Sequence, residues 1–463
     1  MIRYALVLLA GGLCVTHGRV VAAGEAQRAN VLLIIADDLN CDVGCYGASH
    51  MSTPHIDALA EEGLRFDRAY VQYPVCNPSR SSFLSGLRPE TTGILDNRRR
   101  FREALPDAVT LPEWFRQQGY YTAGLGKVFH RGLSPDDTQA DRDDERSFDH
   151  VFYGRTTDWG RQGTGRNLTG GQLDWCRWLA AEGDDDDHAD GQITTEAIRL
   201  LTERRDEPLF LAVGYYRPHD PFESPAEHFT PYPIERMRPP VEPTGYRLPY
   251  RHDLGNDFFK SAFDRFGDRE KSEFLAAYYA GVSFVDSQVG RLLATLQQTG
   301  VRDETVIVFA GDHGYDLGLR NWWNKNTLFE SSCRTPLIVN APGGRRGKAT
   351  KAIVEFTDLF PTIAELAGLP APDVELEGES FADVVRGESD EFRDAALTVV
   401  SRNGFLGRSV RTQRWRYTEW DKGRRGRELY DHDADPGEWN NLAGESAHYD
   451  GIMRSLSDRL REL

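Results

Sequence analysis

VLLIIADD, residues Val31 to Asp38, holds an uninterrupted apolar run of six residues, Val31 to Ala36, that ends abruptly in two acids. A run this short with no polar alternation is how a strand buried on both faces reads. The pattern recurs along the chain. Tyr120 to Gly126 (YYTAGLG) runs into Lys127, Pro208 to Tyr216 (PLFLAVGYY) runs into His219, and Thr305 to Gly311 (TVIVFAG) runs into Asp312 and His313. Helical patterns lie between these runs: Thr53 to Gly63 has a Thr cap, an early Pro and a closing Gly, and Leu111 to Gly119 and Phe274 to Gln298 carry helical periodicity. Strands alternating with helices predict an α/β fold around a large, mostly parallel or mixed central sheet flanked by helices. Ligands of such sheets bind beyond the carboxyl ends of the strands, where every polar group just named would lie.

The tail reads differently. From about Ala371 short pieces such as ALTVV, SVRTQ and WRYTEW are separated by turns, and Tyr449 to Leu463 is helical in pattern. This predicts a smaller C-terminal antiparallel-sheet subdomain over residues 371–463, after a catalytic domain over 24–370. Residues 155–190, rich in Gly, Asp and polar groups, read as a long surface excursion. Its Asp184 to Asp187 run is a solvated loop on this reading, with a cation site as the alternative.

Residues 1–23 read as a signal peptide, with Arg3, an apolar stretch from Tyr4 to Val15 and small residues ending at Ala23. The alternative is an uncleaved N-terminal anchor. An exported protein, periplasmic or secreted, is therefore expected, with no membrane association after removal of the leader. The net charge of −17 argues against nucleic acid as a partner but not against a small anionic substrate, because local charges decide inside a pocket. Of the six cysteines Cys14 leaves with the leader, so an odd number remains and at least one thiol stays unpaired.

Cys76 is the candidate for that unpaired thiol. It opens VCNPSRSSFLSG (Val75 to Gly86), a helix start in which Pro78 suits the first turn and Ser79, Ser81 and Ser82 could satisfy free backbone donors. Such a terminus favours anions and lowers the pKa of a neighbouring thiol. Arg80, one turn on, can hold an anion or an ionised nucleophile. A buried structural cysteine is the plainer alternative. Asp37 and Asp38, with Asp312 and His313 in an equivalent place on another strand, form an oxygen-rich set that suits Ca²⁺ or Mg²⁺ better than zinc.

CNPSRSSFLSG resembles the sulfatase signature, Cys-x-Pro-Ser-Arg followed by a Leu and a Gly. The resemblance extends to the DD pair, to the DHG at Asp312 to Gly314 and to the C-terminal ELYDHDADPGEWNNLA. It implies an alkaline-phosphatase-like fold and a formylglycine made from Cys76 by a maturation enzyme. It also implies a metal, calcium with magnesium as alternative, held by Asp37, Asp38, Asp312, His313 and the modified Cys76. In the implied mechanism the hydrated aldehyde, stabilised by Arg80, attacks sulfur as an alkoxide and leaves a sulfated hydrate. Lys127, Lys325 and His219 clamp the sulfate, Lys325 or His219 protonates the departing sugar oxygen, and His130 takes a proton so that the aldehyde reforms.

GKVFH (Gly126 to His130), AVGYYRPHDPF (Ala212 to Phe222) and Lys325 are similar to the iduronate-2-sulfatase branch, which implies a sulfated saccharide substrate, a uronate or related sugar 2-O-sulfate. LGLRNWWNK (Leu317 to Lys325) departs from that branch. Trp322 and Trp323 could stack on sugar rings or pack the loop. The run DNRRRFR (Asp96 to Arg102) could add cationic contacts to a glycan or be a solvated loop. Phosphoester or phosphonate hydrolysis at the same formylglycine–metal site is the alternative activity, and a catalytically inactive glycan binder is the alternative class.

Overall fold

The computed structural model describes residues 28–130, 144–444 and 448–463; the leader read over residues 1–23 lies outside them. The central sheet has eight strands: β1 Asn30–Asp37, β2 Leu64–Tyr70, β3 Tyr121–Gly126, β4 His150–Phe152, and further along the chain β7 Leu209–Pro218, β9 Thr305–Gly311, β10 Leu337–Asn340 and β11 Lys348–Glu355. Their order is β11-β2-β10-β9-β1-β7-β3-β4. All pairings are parallel except those of β10, which runs antiparallel to both β2 and β9. Every strand but β10 therefore ends on the same edge, and the polar residues following β1, β3, β7 and β9 are brought to that edge.

The sheet's two faces explain the unbroken apolar runs. Leu32, Ile34 and Ala36 of β1 face one core, shared with the long helix Asp268–Thr299 and the helix Ala189–Glu203. Val31, Leu33 and Ile35 face the other, shared with Phe83 and Leu84 of the helix Cys76–Ser85 and with Phe115 and Phe360. With helices over both faces no position in β1 is free to be polar until the strand leaves the sheet.

A separate antiparallel sheet is built in sequence order from β12 Ala395–Arg402, β13 Phe405–Thr412, β14 Trp415–Trp420 and β15 Gly426–Asp431, and the helix Asp450–Glu462 packs on it. The segment read as a surface excursion is more ordered than its composition suggests. It holds β5 Gly163–Asn167 and β6 Arg177–Ala181, which form a sheet with β8 Phe222–Pro225. The acidic run is a turn before the helix Ala189–Glu203, with Asp185 accepting from Gln288 at 2.6 Å and lying 3.1 Å from His228 Nε2. Strand pairing orders the first and side-chain bonds to distant segments order the second, neither of which periodicity records.

Two helix starts differ from the reading. Thr53 does not cap the helix Pro54–Glu62; the N–H groups of His55 and Ile56 donate instead to Asp286 of the long helix, at 3.0 and 2.8 Å. The serines after Cys76 do not cap their own helix either. Ser79 Oγ donates to the Asp312 carbonyl at 2.5 Å, and the Asn77 N–H donates to Asn97 Oδ1 at 3.0 Å. Among the described residues no helix is long and apolar enough to cross a membrane.

Candidate active site

The structure gathers the predicted residues into one cluster at the carboxyl edge of the sheet. Asp37 ends β1, Lys127 and His130 follow β3, His219 follows β7, and Asp312 and His313 follow β9. Two backbone features aim them. The register of β1 against β7 shifts between Ala36 and Asp37, a bulge of the kind that re-aims side chains. Gly126, at φ 71°, packs so closely on β7 that a Cβ there would collide with the Gly214 carbonyl, and this delivers Lys127 beside Asp37. Asp38 takes the left-handed φ of 63°, which aspartate tolerates better than most residues. That conformation is fixed at both ends: the Asp38 N–H donates to Asp312 Oδ1 at 2.9 Å, and its carbonyl accepts from Tyr278 Oη at 2.7 Å.

Cys76, fully buried, occupies the first position of its helix. Lys325 Nζ is 3.2 Å from its sulfur, His313 Nε2 3.4 Å and Asp38 Oδ1 4.0 Å. His130 Nδ1 is buried with no hydrogen-bond partner among the described residues. Arg80, fully buried one turn on, donates from Nε to Asp312 Oδ2 at 2.9 Å, from Nη2 to Asp37 Oδ1 at 3.1 Å and from Nη1 to the Val128 carbonyl at 3.1 Å. Lys127 Nζ contacts Asp37 Oδ2, and Lys325 Nζ donates to Asp38 Oδ1 at 2.5 Å. Arg80 therefore locks three strand ends to the helix that Cys76 begins, while the two lysines neutralise the acids.

The electrostatics follow from this packing. Burial opposes ionisation of Cys76, but Lys127 and Lys325 outweigh it and hold the thiol well below its ordinary range. Burial also opposes the charge on Asp37, and there Lys127, His219 and Arg80 win. His219 is pushed up to about 9: burial works against its charge, and Asp38 overcomes it. Burial pushes Asp312 up to about 7 despite His313 and Arg80.

The residues fit a divalent cation. Asp38 Oδ2 is buried with no hydrogen-bond partner, a costly state for a carboxylate oxygen that a cation would relieve. His313 Nε2 lies 3.3 Å from Asp38 Oδ1 and 3.7 Å from Asp312 Oδ1. Potential ligand atoms of Asp38, Cys76 and His313 all lie within 4.8 Å of one another, as do those of Asp37, Cys76 and His219. Carboxylate oxygens with one imidazole suit a hard cation.

Sequence reasoning missed Asp190 and Tyr278. Asp190 accepts the N–H groups of Tyr216 and Arg217, each at 2.9 Å, and so fixes the turn that presents His219. No local pattern marks either residue, since both act across the fold from helices. Asp220, 3.5 Å from His219 Nδ1, was within the quoted motif but without an assigned role. Trp322 and Trp323 are both 1% exposed and pack against Phe263, and against Phe266 and Phe274, respectively. They pack the loop and offer no face to a sugar. Arg320 is also internal, donating to the carbonyls of Gly437 and Glu438 at 2.6 and 2.9 Å. Among the described residues Cys41, Cys45, Cys76, Cys176 and Cys333 are all free.

Residues 29–369 match the Sulfatase family model, and residues 318–463 match that of the N-sulphoglucosamine sulphohydrolase C-terminal region. This chain belongs to the sulfatase family. It is a sulfuric ester hydrolase, similar to a sulfatase of Formosa agariphila (32% identical, covering 95% of this chain and 88% of the relative). It is also similar to mouse iduronate 2-sulfatase (30% identical, 97% of each chain). Among solved structures the phosphonate monoester hydrolase of Agrobacterium radiobacter shares the fold, with a TM-score of 0.76 at 23% identity over 94% of this chain and 95% of that one.

Proposed function

We propose that this sulfatase hydrolyses sulfate esters of saccharides, a uronate or related sugar 2-O-sulfate, using a formylglycine derived from Cys76 and a calcium ion. The observation that carries the reading is a buried Cys76 set among two lysines, three histidines and three acids at one sheet edge. A structural cysteine does not need such surroundings. The similarity to mouse iduronate 2-sulfatase along nearly its full length supports the saccharide class. Export to the periplasm or medium, and maturation by a formylglycine-generating enzyme, complete the reading.

Asp37, Asp38, Asp312 and His313 would hold the cation, magnesium being the alternative to calcium. When bound, the cation supplies Lewis-acid polarisation of the sulfate, and the hydrated aldehyde supplies an oxygen nucleophile where the Cys76 sulfur now stands. The chain's own residues do the rest. Lys127 and Lys325 present ammonium groups to the sulfate oxygens from opposite acids, and Arg80 keeps those acids fixed. His219, held protonated and 19% exposed at its side chain, stands at the mouth and hands its proton to the departing sugar oxygen, with Lys325 as the other donor. Burial lowers His130, so its imidazole is neutral and able to accept a proton at the Cys76 position.

The test is release of free sulfate from defined saccharides, including 2-O-sulfated uronates, by protein coexpressed with a maturation enzyme, alongside Cys76→Ala. Release from the 2-O-sulfated uronate that disappears in the variant is expected. Unchanged release by Cys76→Ala would sink the mechanism. Cleavage only of phosphonate or phosphate esters would overturn the substrate assignment in favour of the activity that the Agrobacterium neighbour's name carries.

A further inference from the structure

The residue next to Cys76 holds a basic loop in place. Asn77 donates from Nδ2 to the carbonyls of Asp96 and Arg99, at 3.0 and 2.7 Å, and its own N–H donates to Asn97 Oδ1 at 3.0 Å. Asp96 turns its carboxylate into the loop, accepting the N–H groups of Arg98 and Arg99 at 2.8 and 3.3 Å. The loop is thus fixed to the start of the nucleophile helix, and its one acid is spent on backbone. With consecutive Cα atoms 3.8 Å apart, the Asn77–Asn97 bond keeps the Arg98 backbone within about 13 Å of the Cys76 backbone, a gap that a saccharide and a long side chain together can bridge.

Residues Asp96 to Arg100 are exposed, yet their arginines differ. Arg99 Nη1 donates to the Gly93 carbonyl at 2.9 Å, and Arg100 lies 3.7 Å from Glu103. Arg102, further on, is bound by Glu113 and Asp144. Arg98 makes no side-chain hydrogen bond or ion pair among the described residues. Surface arginines elsewhere fall into both groups: Arg199, Arg386 and Arg459 pair with carboxylates, whereas Arg155 and Arg247 have no side-chain partner among the described residues, so it is the place of Arg98 beside the Cys76 helix that sets it apart. An uncompensated guanidinium beside an anion-binding pocket has a matching function, because carboxylates and sulfates present the paired oxygens that its fork recognises.

We propose that Arg98 is a specificity-determining residue that binds a second anionic group, carboxylate or sulfate, on the saccharide whose sulfate ester enters the pocket. The proposal rests on the saccharide sulfatase reading and deepens it: the preferred substrate carries a second negative charge near the scissile ester. Arg98 takes no part in the chemistry and contributes binding alone.

The experiment measures binding apart from turnover. The Cys76→Ala protein is titrated calorimetrically with three disaccharides: a 2-O-sulfated uronate, the same compound with its carboxylate reduced to hydroxymethyl, and one bearing an additional sulfate. Arg98→Ala is added to that background, with Arg205→Ala as the charge-matched control, since Arg205 precedes β7 at the opposite edge of the sheet. Arg98→Ala is expected to weaken binding roughly 5-fold, between the small worth of an exposed ion pair and the larger worth of a charge-assisted hydrogen bond. Arg205→Ala changes affinity less than about 2-fold, in the range of remote surface substitutions. An effect that vanishes on carboxylate reduction assigns the carboxylate as the partner; an effect that appears only with the additional sulfate assigns the sulfate. Equal affinities for all three compounds with and without Arg98 would overturn the proposal. An Arg98 effect in a protein that releases no sulfate from any saccharide would overturn the catalytic reading and leave the anion site standing. Failure to bind any sulfated saccharide would overturn both.

Discussion

Replacing Arg80 by alanine tests the site's architecture most directly. Its guanidinium is fully buried and meets Asp37, Asp312 and the Val128 carbonyl at 2.9 to 3.1 Å, so one substitution strips donors from the ends of β1 and β9 and from the turn after β3. Breaking a buried ion pair from one side costs about 4 kcal/mol, because the abandoned carboxylates remain buried. Unfolding entropy of about 2.1 cal/mol/K per residue gives this 463-residue chain roughly 1 kcal/mol/K. The melting temperature is therefore expected to fall by about 4 °C, read by scanning calorimetry without added calcium. Part of that loss returns when calcium is added, since Asp37 and Asp312 gain another positive partner. Arg80→Lys keeps the charge but cannot span both carboxylates, so it falls between wild type and alanine. Sulfate release should drop far more than stability, because both acids lose their fixed positions. A melting temperature within about 1 °C of wild type, with turnover within about 2-fold, would refute the reasoning.

Asp286 carries the pH prediction. Burial pushes its carboxyl up to about 7, against the N–H groups of Ile56 and His55. The folded state thus holds a proton that the unfolded chain releases near pH 3.8, and the associated stability is present at low pH and lost as pH rises toward 7. Asp286→Asn keeps an acceptor for both N–H groups and removes that slope, so its stability relative to wild type should rise between pH 4 and 7 in urea titrations; a parallel pair of curves would contradict it. Trp323→Ala should cost about 3–5 kcal/mol, hence a fall of about 4 °C, with KM unchanged within about 2-fold; a large KM effect with unchanged melting would restore the sugar-stacking alternative. Chelation of divalent ions should cut sulfate release by about an order of magnitude or more. Calcium at about 100 times its Kd should then add about 2.7 kcal/mol to stability, seen as a melting shift of about 3 °C.

The parallel core of the fold was legible because burial on both faces removes any reason for polar residues within a strand. Val31 to Ala36 and Thr305 to Gly311 announce themselves for that reason, and Asp37, Lys127, His219 and Asp312 are where each strand runs out. β5 and β6 were hidden because Gly163–Asn167 carries no apolar residue and Arg177–Ala181 is a short, half-buried run inside a stretch rich in Gly and Asp; their pairing with each other and with β8 holds them. Asp190 and Asp286 were unreadable for a related reason. Each satisfies backbone N–H groups of another element, so nothing in its neighbours records the partner.

The chain by itself determined which residue types stand at the strand ends, and its motifs point Cys76, Arg80 and the DD and DHG acids to one site. Short-range steric and hydrophobic patterns are written in consecutive residues. Tertiary structure alone decided that Trp322 and Trp323 fill a core, that Arg80 rather than a serine cap organises the helix that Cys76 begins, and that Asn77 seats the Arg98 loop beside Cys76. Those outcomes depend on which distant groups meet once the two faces of the sheet are covered, and a buried polar atom takes whatever partner the packing brings within about 3 Å.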